Sequence, residues 1–159
     1  MNLSIIQEVT REVLSNTPYK PFLCLPLSAL LYAVLRDRYK IQANLVTGDL
    51  TFNDQYIFKQ DFTLLSGDHS SFKTWAGHAW VEVEEYIIDL SFFRSLYSDR
   101  FDMPAKDSLI SIFGPGRGAV IIPEPDFKGT GLYYWRKEIL TDTTVNAILK
   151  GASELMKDL

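Results

Sequence analysis

Cys24, His78 and Asp89 are the residues whose chemical types could act together on a carbonyl group. The chain contains one cysteine and two histidines, so the choice of a thiol nucleophile and an imidazole base is narrow. A thiolate attacks a carbonyl carbon, an imidazole moves the protons, and a carboxylate orients the imidazole by accepting a hydrogen bond from one ring nitrogen. These three side chains would support acyl transfer through a thioester if folding brings them together.

Cys24 lies at the predicted start of a helix. Apolar residues follow it with helical spacing, namely Leu27, Leu30, Leu31, Val34 and Leu35,. Pro26 is compatible with this assignment because proline is tolerated in the first helical turn. The unpaired amides at a helix N-terminus favour an anion, either a thiolate or the oxyanion of an acyl-transfer intermediate. The alternative interpretation of Cys24 is a small buried hydrophobic residue.

His78 and Asp89 lie on the two strands of a predicted β-hairpin over residues 78–90. With Glu84-Glu85 as the turn, the facing pairs are Val83 with Tyr86, Val81 with Ile88, and Ala79 with Leu90,. The opposite face then carries His78, Trp80, Glu82, Ile87, Asp89 and Ser91,. In this register Asp89 is diagonal to His78, and a turn one residue earlier would place the two directly opposite each other. A turn with an odd number of residues and no bulge would separate them onto different faces.

Other interpretations of these two residues stay open. His78 could be a hydrogen-bonded histidine of the core or the surface, and Asp89 could be a strand-end carboxylate that accepts from a turn. The second histidine, His69, lies in a Ser/Gly/Asp segment and is expected to be solvated. One cysteine and two histidines do not form a zinc signature, so no metal site is predicted.

Three aromatic residues are candidates for contact with a substrate. Trp75 and Trp80 flank His78, and Trp80 shares its face, so it could line a cleft or shield the His78–Asp89 bond from water. The alternative for Trp80 is ordinary packing under the helix that begins at Cys24. Tyr19 lies just upstream of Cys24 and could donate a hydrogen bond to an oxyanion.

These residues together resemble a known family. The chain is similar to the transglutaminase-like core of the papain-like cysteine peptidase superfamily in three segments. They are Cys24 at the start of an apolar helix, the string His-Ala-Trp-Val-Glu-Val over 78–83, and Ile-Ile-Asp-Leu over 87–90. The order Cys, His, Asp and the spacings of 54 and 11 positions are also similar. The leader-peptide proteases of lasso-peptide maturation resemble this short arrangement as well.

The resemblance implies a helix that carries the nucleophile, packed on an antiparallel sheet that carries the histidine and the aspartate. Cys24 would be the nucleophile, His78 the base and acid, and Asp89 the orienting carboxylate. Three features depart from the family's usual pattern. Phe22 stands where the family often has glycine, the Glu84-Glu85 turn is shorter than usual, and Leu90-Ser91 replaces the Pro-Thr that usually follows the aspartate.

The remaining segments predict an α+β fold with N-terminal helices and a C-terminal helix. Residues 6–14 have helical spacing, and a break follows at 16–21,. Alternation over 41–45 predicts a strand that begins there and ends near Gly48, before the hairpin,. Residues 94–108 are polar and expected to be irregular, and 132–136 form a last strand. A helix over 145–159 has Thr141 or Asp142 as its cap,. The length of 159 residues fits a single domain over 1–159,.

Composition limits the classes of partner. The formal net charge of −4 argues against a broad nucleic-acid surface,. No apolar run approaches the ~20 residues of a membrane helix, and a chain with one cysteine and no apparent signal peptide is expected in the reducing cytoplasm. A thiol hydrolase needs no cofactor, whereas coenzyme A would be needed only for an acetyltransferase.

The expected function is a cysteine-dependent acyl-transfer enzyme, most simply a hydrolase that acts on a peptide or a small amide. An acyltransferase or transamidase of the same superfamily is one alternative. A non-catalytic module that retains the fold and binds an extended peptide is the other. Substrate and oligomeric state stay open at this stage.

Overall fold

The structure of the protein is a computed structural model that describes residues 2–64, 72, 75–114 and 118–157, with side chains up to residue 152. Within these ranges the chain forms five α-helices, six strands and one short 3-10 helix, Glu124–Phe127. The helices are α1 (Leu3–Ser15), α2 (Cys24–Asp37), α3 (Phe92–Leu96), α4 (Lys106–Phe113) and α5 (Asp142–Lys157). The strands are β1 (Asn44–Phe52), β2 (Gln55–Phe58), β3 (His78–Val83), β4 (Tyr86–Asp89), β5 (Val120–Pro123) and β6 (Leu132–Ile139).

All six strands belong to one antiparallel sheet. Its order is β2-β1-β3-β4-β5, and β6 pairs with β1 outside this path. Val46 of β1 is paired with Trp80 of β3 and also with Ile139 of β6, so these two strands lie on opposite edges of β1. The predicted α+β class, with antiparallel strands between N-terminal helices and a C-terminal helix, is confirmed.

The β3–β4 hairpin separates two apolar layers. Val81, Val83, Ile88 and Leu90 pack against the buried faces of α1 and α2. Trp80 and Ile87 point to the other side, where they join a second core with Phe92, Phe127 and Tyr134. This is the alternation expected for a strand that is covered on both faces.

The C-terminal helix supports α2. Thr141 caps α5, since its hydroxyl oxygen accepts from the Thr144 amide at 3.3 Å,. The side chains of Tyr32 and Arg36 each donate to Asp142 Oδ1 at 2.8 Å. The same two helices share a core of Leu25, Ala29, Val145 and Ile148, against which Cys24 packs. The helix that begins at Cys24 is therefore held between the sheet and α5.

The first predicted strand is shifted in the structure. Residues 41–43 lie outside the sheet, and β1 begins at Asn44 and continues to Phe52. The amide of Ile41 donates to the carbonyl oxygen of Leu35 at 2.9 Å, so this residue closes the end of α2 and does not pair with a strand. Ile41 and Ala43 pack instead on the core formed with α1 and α2. Their alternation reflects this packing, which a local pattern does not distinguish from strand pairing.

The prediction that residues 94–108 are irregular holds for the middle of the segment, 97–105, but not for its two ends. The helices α3 and α4 extend into it at 94–96 and 106–108. Every residue of α3 is buried, including Arg94 and Ser95, so its polar residues do not mark an exposed face and five residues are too few to show a helical period,. The Asp89 side chain just before it accepts from the amides of Ser91 and Phe92 and caps its start.

Candidate active site

His78 and Asp89 form a buried hydrogen-bonded pair. The observed register pairs Val81 with Ile88 and Val83 with Tyr86, as the two-residue Glu84-Glu85 turn predicts. Both side chains are therefore on the same face of the hairpin. His78 Nε2 lies 2.5 Å from Asp89 Oδ2, and the two residues are 1% and 0% exposed. This contact orients the imidazole and leaves its other nitrogen, Nδ1, for a second partner.

Asp89 has further hydrogen bonds that hold its carboxylate in place. Oδ1 accepts from the amides of Ser91 and Phe92, both at 3.1 Å, and Oδ2 accepts from the Tyr134 hydroxyl at 2.8 Å. Burial alone would raise the pKa of Asp89. The charge of His78 and these hydrogen bonds outweigh burial and lower its pKa, which keeps the carboxylate ionised,. Asp89 is thus a strand-end cap and the partner of His78 at once.

Cys24 is the first residue of α2 and is half-buried. The preceding residue, Leu23, makes no side-chain capping bond. In the first turn, Pro26 has no amide hydrogen, and the Leu27 amide donates to the Leu23 carbonyl oxygen at 3.0 Å. The amides of Cys24 and Leu25 precede the first intrahelical hydrogen bond and have no acceptor within the helix. They are the donors available next to the thiol.

The side chain of Cys24 interacts with the imidazole of His78. Burial opposes a charge on His78, but the charge and hydrogen bond of Asp89, with a smaller contribution from the nearby Cys24, raise its pKa to about 10. Within the described residues, Nδ1 of His78 is buried and makes no well-formed hydrogen bond. The geometry between a nucleophile and its base is often loose before substrate binds. His78 is therefore hydrogen-bonded to Asp89, and Cys24 lies near enough to influence the pKa of the same imidazole.

Aromatic rings cover the His78 imidazole. Phe58 is stacked on it in parallel, with ring centroids 4.8 Å apart and planes within 6°. Trp80 lies 6.1 Å and Tyr134 6.0 Å from the same imidazole, centroid to centroid. The low dielectric of such surroundings strengthens the electrostatic interaction of His78 with Asp89.

Phe22, two residues before Cys24, has an unusual backbone conformation. Its φ angle is 62°, in the left-handed region that L-residues other than Asn and Asp rarely adopt,. The Phe22 amide donates to Ser95 Oγ of α3 at 3.0 Å, which holds this conformation. Its ring is 37% exposed. The chain thus turns sharply into α2 and presents an aromatic ring beside Cys24.

The three predicted substrate-contacting residues have different surroundings. Trp80 is fully buried, and its indole nitrogen donates to Glu82 Oε1 at 2.9 Å, so it shields His78 and offers no exposed surface to a ligand. It also packs on the side of the sheet away from α2. Tyr19 is 76% exposed, and its ring stacks with Arg94, whose guanidinium carbon is 5.2 Å from the ring centroid.

Trp75 is half-buried and supports the residue before His78. Its indole nitrogen donates to the carbonyl oxygen of Phe62 at 3.0 Å. A Cβ atom added to Gly77 would lie 2.6 Å from the Trp75 ring, so the ring packs directly on the Gly77 backbone. Asp61 and Ala76 are joined by two backbone-mediated hydrogen bonds beside this contact. Trp75 therefore helps to position the start of β3.

Several residues of the site could not be found by sequence reasoning. Tyr134 and Phe58 contact Asp89 and His78 from distant segments, and no motif of the chain marks them. In the structure Leu132 and Tyr134 are buried and Tyr133 is exposed, but the uniformly apolar sequence over 132–135 does not show this alternation. His69, expected to be solvated, lies outside the described residues.

No family model, curated protein or solved structure matches the chain. In the described part of the chain, no three His, Cys, Asp or Glu side chains are grouped so that they could hold a metal ion. None of the helices described is long and apolar enough to cross a membrane. A functional assignment must therefore be argued from the geometry around Cys24, His78 and Asp89.

Proposed function

We propose that the protein is a cysteine-dependent acyl-transfer enzyme, most simply a hydrolase of peptide or amide bonds. The observation that carries the proposal is the buried bond of 2.5 Å between His78 and Asp89, with Cys24 interacting with the same imidazole. Structural histidines are commonly paired with one carboxylate. A pair that also interacts with the chain's one thiol, at the first residue of a helix, is the arrangement that activates a nucleophile.

In the first half of the reaction, the Cys24 thiolate attacks the carbonyl carbon and a C–S bond forms. The carbonyl electron pair moves to oxygen, and the amides of Cys24 and Leu25 stabilise the oxyanion together with the positive end of α2. The His78 imidazolium gives its proton to the leaving nitrogen as the C–N bond breaks. Asp89 stays ionised and stabilises the imidazolium throughout.

In the second half, water attacks the thioester while neutral His78 accepts one of its protons. The C–S bond breaks, the carboxylic acid leaves, and the thiolate–imidazolium pair is restored. Peptide hydrolysis, deamidation and transamidation share these steps and differ only in the amine that leaves and the acceptor that attacks.

The backbone at Phe22 also supports the proposal. In the transglutaminase-like family that the chain resembles, glycine often stands at this position. Phe22 has the positive φ of 62° that glycine adopts without strain,. Strained backbone of this kind is concentrated at functional sites.

The test uses the fact that Cys24 is the chain's one cysteine. The protein is treated with p-nitrophenyl acetate near pH 7, p-nitrophenolate release is followed, and the acetyl thioester is located by mass spectrometry. We expect acetylation at Cys24 and its loss in Cys24→Ala. His78→Gln should slow the reaction by about 10²- to 10⁴-fold, the usual contribution of a general acid–base.

His69→Gln is the matched control and should react as the wild type does. A second probe, iodoacetamide at neutral pH, should alkylate Cys24 faster than it alkylates free cysteine. If Cys24 reacts like free cysteine with both probes and His78→Gln changes neither rate, the enzyme proposal is wrong. The peptide-binding module that retains the fold would then be the better interpretation.

A further inference from the structure

Two partly exposed aromatic rings, Phe22 and Phe58, border the proposed catalytic residues; we call them the aromatic pair. Their ring centroids are 6.5 Å apart and their planes meet at 79°, an edge-to-face contact. Phe22 is 37% exposed and Phe58 is half-buried. One ring belongs to the segment that leads into Cys24, and the other is stacked on His78. The aromatic pair therefore joins the surroundings of the thiol to those of the imidazole.

The orientation of Phe22 is set from two sides. Ser95 Oγ accepts from its amide at 3.0 Å, and the guanidinium carbon of Arg100 lies 5.7 Å from its ring centroid. Cations at this distance are attracted to an aromatic face. The left-handed backbone thus presents the Phe22 ring outward, although a large apolar side chain in a strained conformation would be stabilised more by burial. An exposed, preorganised ring beside a nucleophile is suited to bind a ligand.

Phe58 is fixed at the opposite end of the aromatic pair. Its ring is parallel to the imidazole at 4.8 Å, and Phe101, which is buried, lies 6.2 Å away on another side. Phe58 therefore has a rigid support on two sides, and its ring stays partly exposed.

The position of the aromatic pair identifies the part of a substrate that it would contact. In the proposed reaction, His78 protonates the leaving nitrogen, which must then lie beside the imidazole. The substituent on that nitrogen continues past His78, where Phe58 covers the ring and Phe22 adjoins Phe58. Two aromatic surfaces in edge-to-face contact favour a third ring or another large apolar group, because such rings combine apolar burial with favourable ring geometry.

We propose that the aromatic pair binds the side chain of the residue whose amine is released, and that this side chain is aromatic or large and apolar. The inference rests on the proposed function, because it assigns the leaving-group side of the same site. It excludes a preference for ammonia as the leaving amine, and so favours peptide cleavage or transfer over simple deamidation.

The test runs the first half of the proposed reaction in reverse. The amine that leaves when the thioester forms is then the nucleophile that attacks the thioester. The Cys24 acetyl thioester, formed from p-nitrophenyl acetate, is offered phenylalaninamide and alaninamide at equal concentrations. The amine nitrogen attacks the thioester carbon, a C–N bond forms, the C–S bond breaks, and the amine proton passes to neutral His78, which restores the thiolate–imidazolium pair. The products, N-acetylphenylalaninamide and N-acetylalaninamide, are measured by mass spectrometry.

We expect the phenylalanine product to exceed the alanine product by about tenfold, within the range for a well-placed apolar group. Both products form from one acyl-enzyme, so their ratio does not depend on how fast a variant is acetylated. Phe58→Leu and Phe22→Gly should each reduce the ratio several-fold, and glycine accepts the backbone conformation of residue 22. Phe22→Tyr keeps the ring and should retain the ratio. Tyr133→Ala removes an exposed ring elsewhere and should leave the ratio unchanged.

Three results would overturn the inference and leave the proposed function standing. They are a ratio near one in the wild type, a wild-type preference that survives both Phe58→Leu and Phe22→Gly, and thioester hydrolysis without transfer to either amide. Failure of Cys24 to form the thioester at all would instead refute the proposed function, and the inference with it.

Discussion

Tyr134 donates its hydroxyl hydrogen to Asp89 Oδ2, the same carboxylate oxygen that binds His78, with O–O and N–O distances of 2.8 and 2.5 Å. The tyrosine comes from β6 and the aspartate from β4, which are not neighbours in the sheet. The Tyr134 ring also makes an edge contact with Trp80, centroid to centroid 5.0 Å. Tyr134 is therefore a positioning residue that acts on His78 through Asp89.

We expect Tyr134→Phe to lower the free energy of unfolding by about 1.5–3 kcal/mol, because it removes a buried hydrogen bond to a charged group. The measurement is urea unfolding at pH 7. Tyr133→Phe is the matched control, since the neighbouring ring is half exposed, and it should change stability by no more than about 0.5 kcal/mol,.

If Tyr134 had only a structural role, Tyr134→Phe would lower stability and change nothing else. A positioning role also predicts a changed pH profile of Cys24 alkylation in Tyr134→Phe, because the hydrogen bond from Tyr134 contributes to the lowered pKa of Asp89. An unaltered profile, with the stability loss present, would limit Tyr134 to a part in folding.

The protonation of His78 gives a second prediction. Since its pKa is raised to about 10, the imidazole should stay charged through neutral pH. In a His69→Gln background the resonances of the one remaining histidine should show no titration midpoint near 6.5, the ordinary value. In Asp89→Asn, burial is no longer opposed by the carboxylate, and the midpoint should fall to neutral pH or below. A wild-type midpoint near 6.5 would contradict this account of the pair.

The same pair makes stability depend on pH. His78 has a higher pKa in the folded state than in the unfolded state, so its contribution is complete below about pH 6.5 and is lost as pH rises toward about 10,. The pKa of Asp89 is lowered, so its contribution is present above about pH 4 and is lost as pH falls,. The difference in unfolding free energy between wild type and Asp89→Asn should therefore be largest between these limits and shrink outside them. A difference that is constant with pH would argue against ionisation of the pair.

Gly48 lies directly opposite His78 on β1 and offers a fourth prediction. A Cβ atom added at Gly48 would lie 1.7 Å from the Trp135 carbonyl oxygen of β6, so Gly48→Ala must displace backbone. We expect a loss of about 3 kcal/mol or more in the free energy of unfolding. Gly151→Ala, in the open part of α5, should instead stabilise by about 0.5–1 kcal/mol,. Comparable destabilisation by both changes would mean that β6 is not packed on β1 at this distance.

Arg94 supports the connection that leads to Cys24. Its guanidinium donates to the carbonyl oxygens of Leu14 and Pro18, at 2.7 and 2.8 Å, and to Thr17 Oγ1 at 3.2 Å. Arg94 is buried and its acceptors are only partly buried, so Arg94→Ala should lower the free energy of unfolding by about 1–3 kcal/mol,. Arg38→Ala breaks an exposed ion pair with Glu12 and should have little or no effect,. Thermal unfolding of the two variants side by side distinguishes these contributions.

Local patterns were sufficient for the hairpin and for most helices. The apolar alternation on both sides of Glu84-Glu85 is complete within thirteen residues, so the register and the shared face of His78 and Asp89 could be predicted. Asn2 caps the first helix, since its side-chain oxygen accepts from the Ser4 and Ile5 amides. Such features depend on neighbours in the chain. The helix at 92–96 has a local cap as well, in Asp89, but its five residues are all buried and too few to show a helical period, so its pattern does not predict it.

The sequence by itself determined which residues could do chemistry, which helix begins at the thiol, and which hairpin face carries the imidazole and the carboxylate. Only the tertiary structure decided that β6 lies beside β1, where Tyr134 reaches Asp89, and that Phe58 covers His78. Those contacts join segments 45 and 20 positions apart. Side-chain periodicity reports the environment of a segment, but the choice of its partner is made by how all the layers pack at once.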